Sequence, residues 1–247
     1  MDVGFWILLA VSAGAAFAQG FSGFGYGILL MSGLSLLGAG LERASVFATL
    51  TSLVLVATLL VRSHRLMRVD WKAAAWVTAG IMLALPFGYR FILRHEDAPV
   101  FRVVFGLILV FFAVFRAVRP HVRRNISTLW APVFGAGSGL LSGAFASGGP
   151  PVVLFLYARE DDPRRAVGTI QAVFLGGNLY RLAVILLGER GMTSDVLIPA
   201  LALSPLVVLG TLAGFYASRR FSVRPFLLAV YGLLVLAGLV NILKGLS

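Results

Sequence analysis

Two short segments concentrate the residues that could hold a ligand. Gln19-Gly20-Phe21-Ser22-Gly23-Phe24-Gly25-Tyr26-Gly27 and Ser142-Gly143-Ala144-Phe145-Ala146-Ser147-Gly148-Gly149-Pro150-Pro151 each interrupt an otherwise apolar run. Glycine, serine and proline break helices, and a new helix that begins after such a break exposes free backbone N–H groups at its N-terminus. Such an end attracts anions. In the second segment Ser147 is the expected N-cap, Pro150 and Pro151 suit the first helical positions, and Gly148 and Gly149 let a ligand reach the backbone. In the first segment Gly23 and Gly25 would frame an equivalent end. The competing explanation is that these glycines serve close helix packing alone.

Arg181 is the second candidate. It lies in a long apolar stretch, seven residues before Gly188, about 10 Å in from that end at 1.5 Å per residue. A charge at mid-bilayer costs about 2.5–3.5 kcal/mol on insertion scales, so it needs a partner or a use. Helical side chains lean toward the helix N-terminus, which aims Arg181 deeper and away from the nearer interface. Gln171, Asn178 and Arg181 fall within about 80° on one helix face at 100° per residue. The corresponding first-half stretch carries Ser45, Thr49 and Ser52 within about 60° by the same count. The expected use is anion binding, with carbonyl capping or an internal ion pair as the alternative.

Other chemistries lack their residues. The chain has no cysteine and only three scattered histidines, which leaves no thiolate or His-based metal site, and neither metal nor cofactor is expected. No Ser–Lys, His–Asp or paired-carboxylate set falls inside an apolar stretch, so no catalytic residue is assigned and an enzyme is not expected. Glu42, Glu160, Asp161, Asp162, Glu189 and Asp195 all sit at stretch ends, which leaves no mid-membrane proton or sodium relay. No phosphate-binding loop of the ATPase type is present either. An anion leaving a negative-inside cell is already driven outward, by about 2.3 kcal/mol per charge per 100 mV.

The elements that must position these residues follow from composition. Of 247 residues, 59% are hydrophobic and 13% charged, against about 25% charged in a soluble domain. Apolar runs of membrane-spanning length recur along the whole chain. A broken stretch Val3–Gly40 is followed by spans near Ala44–Val61, Trp71–Leu93 and Ala98–Val118. A basic stretch from Arg116 to Arg124 comes next. A second broken stretch, Trp130–Tyr157, is then followed by spans near Ala166–Gly188, Ser194–Ser218 and Val223–Leu243. Met1-Asp2-Val3 lacks the basic start of a cleavable signal, so the first stretch is expected to be retained.

The two halves read as a duplication, residues 1–120 and 121–247. A shift of 123 places Gly20 and Gly25 on Gly143 and Gly148, and one of 122 places Arg43-Ala44 on Arg165-Ala166. A shift of 126 places Gly88 on Gly214 and Phe105-Gly106 on Tyr231-Gly232. If each broken stretch enters and returns, Lys and Arg divide 14 to 6 between the two sides; if each crosses once, 10 to 10. Cytoplasmic loops carry the excess of Lys and Arg, which favours the returning path. The expected fold is therefore all-α: a polytopic helical bundle of two inverted repeats, each a broken or re-entrant helix pair plus three transmembrane helices. Its expected place is a bacterial inner membrane, with both termini periplasmic. The net charge of +11 is read as cytoplasmic loop charge rather than nucleic-acid binding.

On these motifs the chain resembles the TauE/SafE (TSUP) family of sulfite and organosulfonate exporters. The features that carry the resemblance are Gly14 with Gln19 to Gly27, and Gly139-Leu140-Leu141-Ser142-Gly143 with Ser147 to Pro150. The placement of Arg43-Ala44 and Arg165-Ala166 behind them adds to it. The resemblance implies transport of a sulfur-containing anion, most typically sulfite or a small organosulfonate. Arg181 is inferred from the residues and not from the family motif. The expected partners are a small anionic substrate and the lipid bilayer, with a homodimer left open and nucleic acid not expected. The alternatives are a carrier of thiosulfate, sulfate or a carboxylate, and a non-transporting assembly subunit that uses the Gly135/Gly139/Gly143 spacing as a packing face.

Overall fold

The computed structural model describes residues 3–38, 40–63, 67–95, 98–118, 126–188 and 192–246. Arg65, Arg119, Arg123, Arg124 and Arg190, used in the charge count, lie outside the described residues. The first broken stretch is α1 (Val3–Ser22) and α2 (Tyr26–Leu36), followed by α3 (Leu41–Ser63), α4 (Trp71–His95) and α5 (Pro99–Val118). After one 3-10 turn at Thr128–Trp130, the second broken stretch is α6 (Ala131–Phe145) and α7 (Gly149–Arg159). It is followed by α8 (Pro163–Leu186), α9 (Ser194–Ala217) and α10 (Val223–Leu246). No strand occurs among the described residues. The protein is an all-α, polytopic membrane bundle in which α3, α4, α8, α9 and α10 are each long and apolar enough to cross a bilayer.

Each broken stretch folds back on itself. In α1–α2 a side chain at Gly33 would meet Val11, while Gln19 bonds the Tyr26 N–H. In α6–α7 the Ser138 hydroxyl donates to the Gly148 carbonyl at 2.5 Å. Moving away from the tip, Pro151 faces Gly137, Phe134 stacks on Phe155 at 5.4 Å, and Arg159 donates to Thr128 at 2.6 Å. A continuous helix would hold Ser138 and Gly148 about 15 Å apart. The 11 residues of α2 and of α7 are about 16 Å long, half the hydrocarbon thickness of about 30 Å.

The hairpins lean on helices from the other half. α4 packs along α6 and α9 along α1, while α3 meets α8 and α5 meets α10. Small residues set these crossings, as expected where backbones approach closely. A side chain at Gly20 would strike the Thr211 carbonyl, and one at Gly143 the Leu85 carbonyl. One at Gly88 would strike the Leu140 carbonyl, and one at Gly214 the Phe17 carbonyl. These contacts repeat at offsets of 123 and 126 residues, the offsets that align the two halves of the sequence. Gly135, Gly139 and Gly143 all abut α4, so the spacing considered for an assembly face is occupied inside the chain.

Candidate functional site

The two hairpin tips touch. Gly27, in the first turn of α2, lies so close to the Ala146 carbonyl at the other tip that any side chain would collide with it. Gly25 is the N-cap of α2 at φ 106°, ψ −7°, a left-handed conformation that glycine adopts at little cost. Ala146 closes α6 in the same region, at φ 49°, ψ 24°, and its N–H bonds the Ser142 carbonyl at 3.0 Å. The Ser22 hydroxyl holds the first tip, its one proton shared between the Ala18 and Phe24 carbonyls at 2.7 and 2.8 Å.

A cavity of about 50 Å³ lies between the tips. Gly25, Ser147, Gly148, Gly149 and Asn178, all expected at the site, line it. Gly27, Ser52, Ser142 and Gln19 line it as well, and none of its lining residues is charged. α2 and α7 both begin at this cavity, so the positive ends of two helix dipoles converge on it. The ends are unequal, because Pro150 and Pro151 carry no N–H and α7 therefore offers fewer donors than α2. Ser147 is not the N-cap expected from sequence. Gly148 holds that position without a side-chain cap, and the Ser147 hydroxyl turns back to the Phe145 carbonyl at 2.8 Å. Asn178 on α8 donates to Ser52 on α3 at 3.0 Å, closing the side wall.

Gly23, Thr49, Gln171 and Arg181 stand behind the lining. Gln171 is fully buried and donates to the Gly23 carbonyl at 2.8 Å, which ties α8 to the first tip. Arg181 is also fully buried. Its Nη1 donates to the Ser45 carbonyl at 2.7 Å and to the Thr49 hydroxyl, and its Nη2 donates to the Gly143 carbonyl at 3.2 Å. The guanidinium therefore caps backbone carbonyls of α3 and α6. Gly143 lies in the last turn of α6, the negative end of that helix. Arg181 offsets that negative end close to where two positive ends face the cavity.

Gln19, in the first glycine-rich segment but not among the residues expected at the site, also lines the cavity. It is 3% exposed and its Oε1 accepts the Tyr26 N–H at 2.9 Å. A carboxamide inside an otherwise apolar helix is the signal that marks it.

Toward the opposite ends of the bundle lie two ion-paired groups. Asp70 meets Arg159 at 3.4 Å and Arg165 at 3.5 Å, and Arg165 also meets Glu160 at 3.4 Å. Asp70 caps α4 through the Ala73 N–H at 3.0 Å. Burial pushes its carboxyl up, but the Ala73 N–H and the guanidinium groups of Arg165 and Arg159 outweigh this and hold it below the usual range. Arg43 pairs with Asp195 at 3.4 Å, and both are well exposed, at 75% and 49% of their side chains. A cavity of about 610 Å³ opens beside that pair. The pairs correspond, since Arg43 aligns with Arg165 at the start of the third helix of each half. Among the described residues no cluster of side chains could hold a metal ion.

Residues 8–240 match the family model described as sulfite exporter TauE/SafE. The chain is 26% identical over 246 residues to the probable sulfite/organosulfonate exporter TauE of Cupriavidus necator, covering 97% of this chain and 94% of that one. No solved structure matches. A match to the family model that runs nearly end to end, on a bundle of this kind, assigns a transporter rather than an enzyme: the chain belongs to the sulfite exporter TauE/SafE family.

Proposed function

We propose that this protein exports a compact sulfur oxyanion, sulfite foremost, across a bacterial inner membrane. The observation that carries this reading is the uncharged cavity on which α2 and α7 both begin. Helix ends and neutral donors compensate an anion without binding it so tightly that it cannot leave. The space between the tips is small, about 50 Å³. This favours a small pyramidal oxyanion over a sulfonate carrying an organic tail. Export is driven by the membrane potential, which favours outward movement of negative charge.

The proposed frame is two inverted repeats, residues 1–120 and 121–247, with both termini periplasmic. The returning hairpins and the exchanged packing of α4 on α6 and α9 on α1 support it. Five elements per half, one pair of which returns, reverse the direction of the second half, so the tips enter from opposite faces and meet midway. The test is efflux of sulfite from proteoliposomes under an imposed potential, negative inside. Efflux should exceed that from protein-free vesicles, should follow the sign of the potential, and should be weaker for a sulfonate with a longer tail. Protein-dependent efflux of no sulfur oxyanion would overturn the reading.

A further inference from the structure

We propose that Gln19 is a direct ligand of the transported anion through its side-chain amide, an assignment that rests on the cavity proposed above as the transport site. The orientation of this carboxamide follows from chemistry. The Tyr26 N–H stands 2.9 Å from it and can only donate, so the atom facing Tyr26 is the oxygen. Nε2 is thereby left as the free end of the group. It is buried, it has no hydrogen-bond partner among the described residues, and Gln19 lines the cavity between the hairpin tips.

A buried amide nitrogen with two unused hydrogens is costly in the empty protein, and a buried polar group left unpaired in a native site needs an explanation. An oxyanion in the cavity supplies an acceptor for it. The surroundings leave room for this role. Tyr26 has already given its N–H to Gln19, and two of the first three residues of α7 are prolines. The backbone therefore offers fewer donors than two intact helix ends would, and Gln19 makes up the difference. A shift of 123 residues sets Gln19 on Ser142, which lines the same cavity. The two hairpins thus contribute equivalent wall positions, one with a paired N–H donor and one with a hydroxyl.

Two measurements test this on the full chain in detergent, with sulfite as the probe. The first compares wild type with Gln19→Glu and Gln19→Met by sulfite titration. Gln19→Glu keeps the length of the side chain and the acceptor for the Tyr26 N–H but replaces the donor by a carboxylate. Its affinity should fall at least tenfold at neutral pH. The ratio of its affinity to that of wild type should rise as pH falls, because the introduced carboxyl, once protonated, again offers a donor. Gln19→Met should lose affinity without that pH dependence of the ratio.

The second measurement needs no variant of Gln19. The chain contains two glutamines, Gln19 and Gln171, so ¹⁵N-glutamine labelling yields two side-chain amide pairs. Gln171 already donates to Gly23 and its pair can be assigned with a Gln171 variant. Sulfite should shift the Gln19 pair. If wild type binds no sulfite by either method, the transport-site reading itself fails. If wild type binds but the Gln19 pair stays unmoved, or a folded Gln19→Glu binds as well as wild type, the ligand assignment is wrong and the site stands without it.

Discussion

Arg181 donates to the carbonyl oxygen of Gly143 at 3.2 Å, which brings a buried cation to the C-terminal end of α6. Hairpin tips inside a bundle carry an electrostatic conflict. The start of the returning helix attracts an anion, while the end of the entering helix, a few ångströms away, repels it. Arg181 removes that repulsion and satisfies carbonyls that no water reaches. We therefore expect Arg181 to support anion binding from behind the cavity wall.

Arg181→Gln should lower stability by about 1.5–3 kcal/mol, the scale of a charged hydrogen bond. It should also weaken sulfite binding, since the α6 end is no longer offset. Arg181→Lys should fall between, because one ammonium cannot span the Ser45 and Gly143 carbonyls as a planar guanidinium does. Melting temperature with and without sulfite reads both effects. Unchanged stability in Arg181→Gln would contradict the capping role, and unchanged sulfite response would contradict the electrostatic one.

Gly148 and Gly149 should separate packing from binding. A side chain at Gly148 would stand 2.6 Å from the Ser138 carbonyl, whereas one at Gly149 meets only the end of the Phe174 ring, at 3.5 Å. Gly148→Ala should therefore lower the melting temperature by several degrees. Gly149→Ala should melt like wild type yet bind sulfite less well, because its methyl group narrows a cavity of only about 50 Å³. Equal binding by a stable Gly149→Ala protein would move the site elsewhere.

The hairpins are legible in the sequence because glycine and a proline pair interrupt apolar runs at matching places. The buried cation is legible too, since Arg181 has no carboxylate in reach along the chain. What it holds is not legible: the Ser45 and Gly143 carbonyls are backbone atoms, and no side-chain pattern marks them. Ser147 misleads for a related reason. Its type suits an N-cap, but the tight reversal at Ala146 brings the Phe145 carbonyl within reach of its hydroxyl first. Gln19 stands out in the sequence as a carboxamide within an apolar helix, but which of its atoms is left free emerges only once the chain folds back and Tyr26 takes its oxygen.

The proposed topology can be tested without background labelling, because the chain has no cysteine. Single cysteines at Lys72 and Ser222 probe one side, and at Val100 and Ser194 the other; all four positions are exposed. Intact cells treated with an impermeant thiol reagent should label the second pair and spare the first. The reverse pattern would place both termini in the cytoplasm.

The last prediction concerns Asp70, which joins the start of α4 to Arg159 of α7 and Arg165 of α8. Its carboxyl is held below the usual range in the folded protein, so the charged form binds its partners more favourably than it does in the unfolded chain. The stability this contributes is complete above the unfolded carboxylate value of about 3.9 and is lost as pH falls through the lower folded value. Wild type should therefore lose melting temperature on acidification from about pH 5 to about pH 2. Asp70→Asn should start lower at neutral pH and lose less, so that the two curves converge in acid. Because Asp70 ties the start of α4 to α7 and α8, the same change should loosen α7 and α8 at that end. A cysteine at Thr128, beside Arg159, should then react faster with a thiol reagent in Asp70→Asn than in its absence. Parallel melting curves with equal thiol reactivity would show that the ion-paired cluster neither stabilises the fold nor holds these helices together.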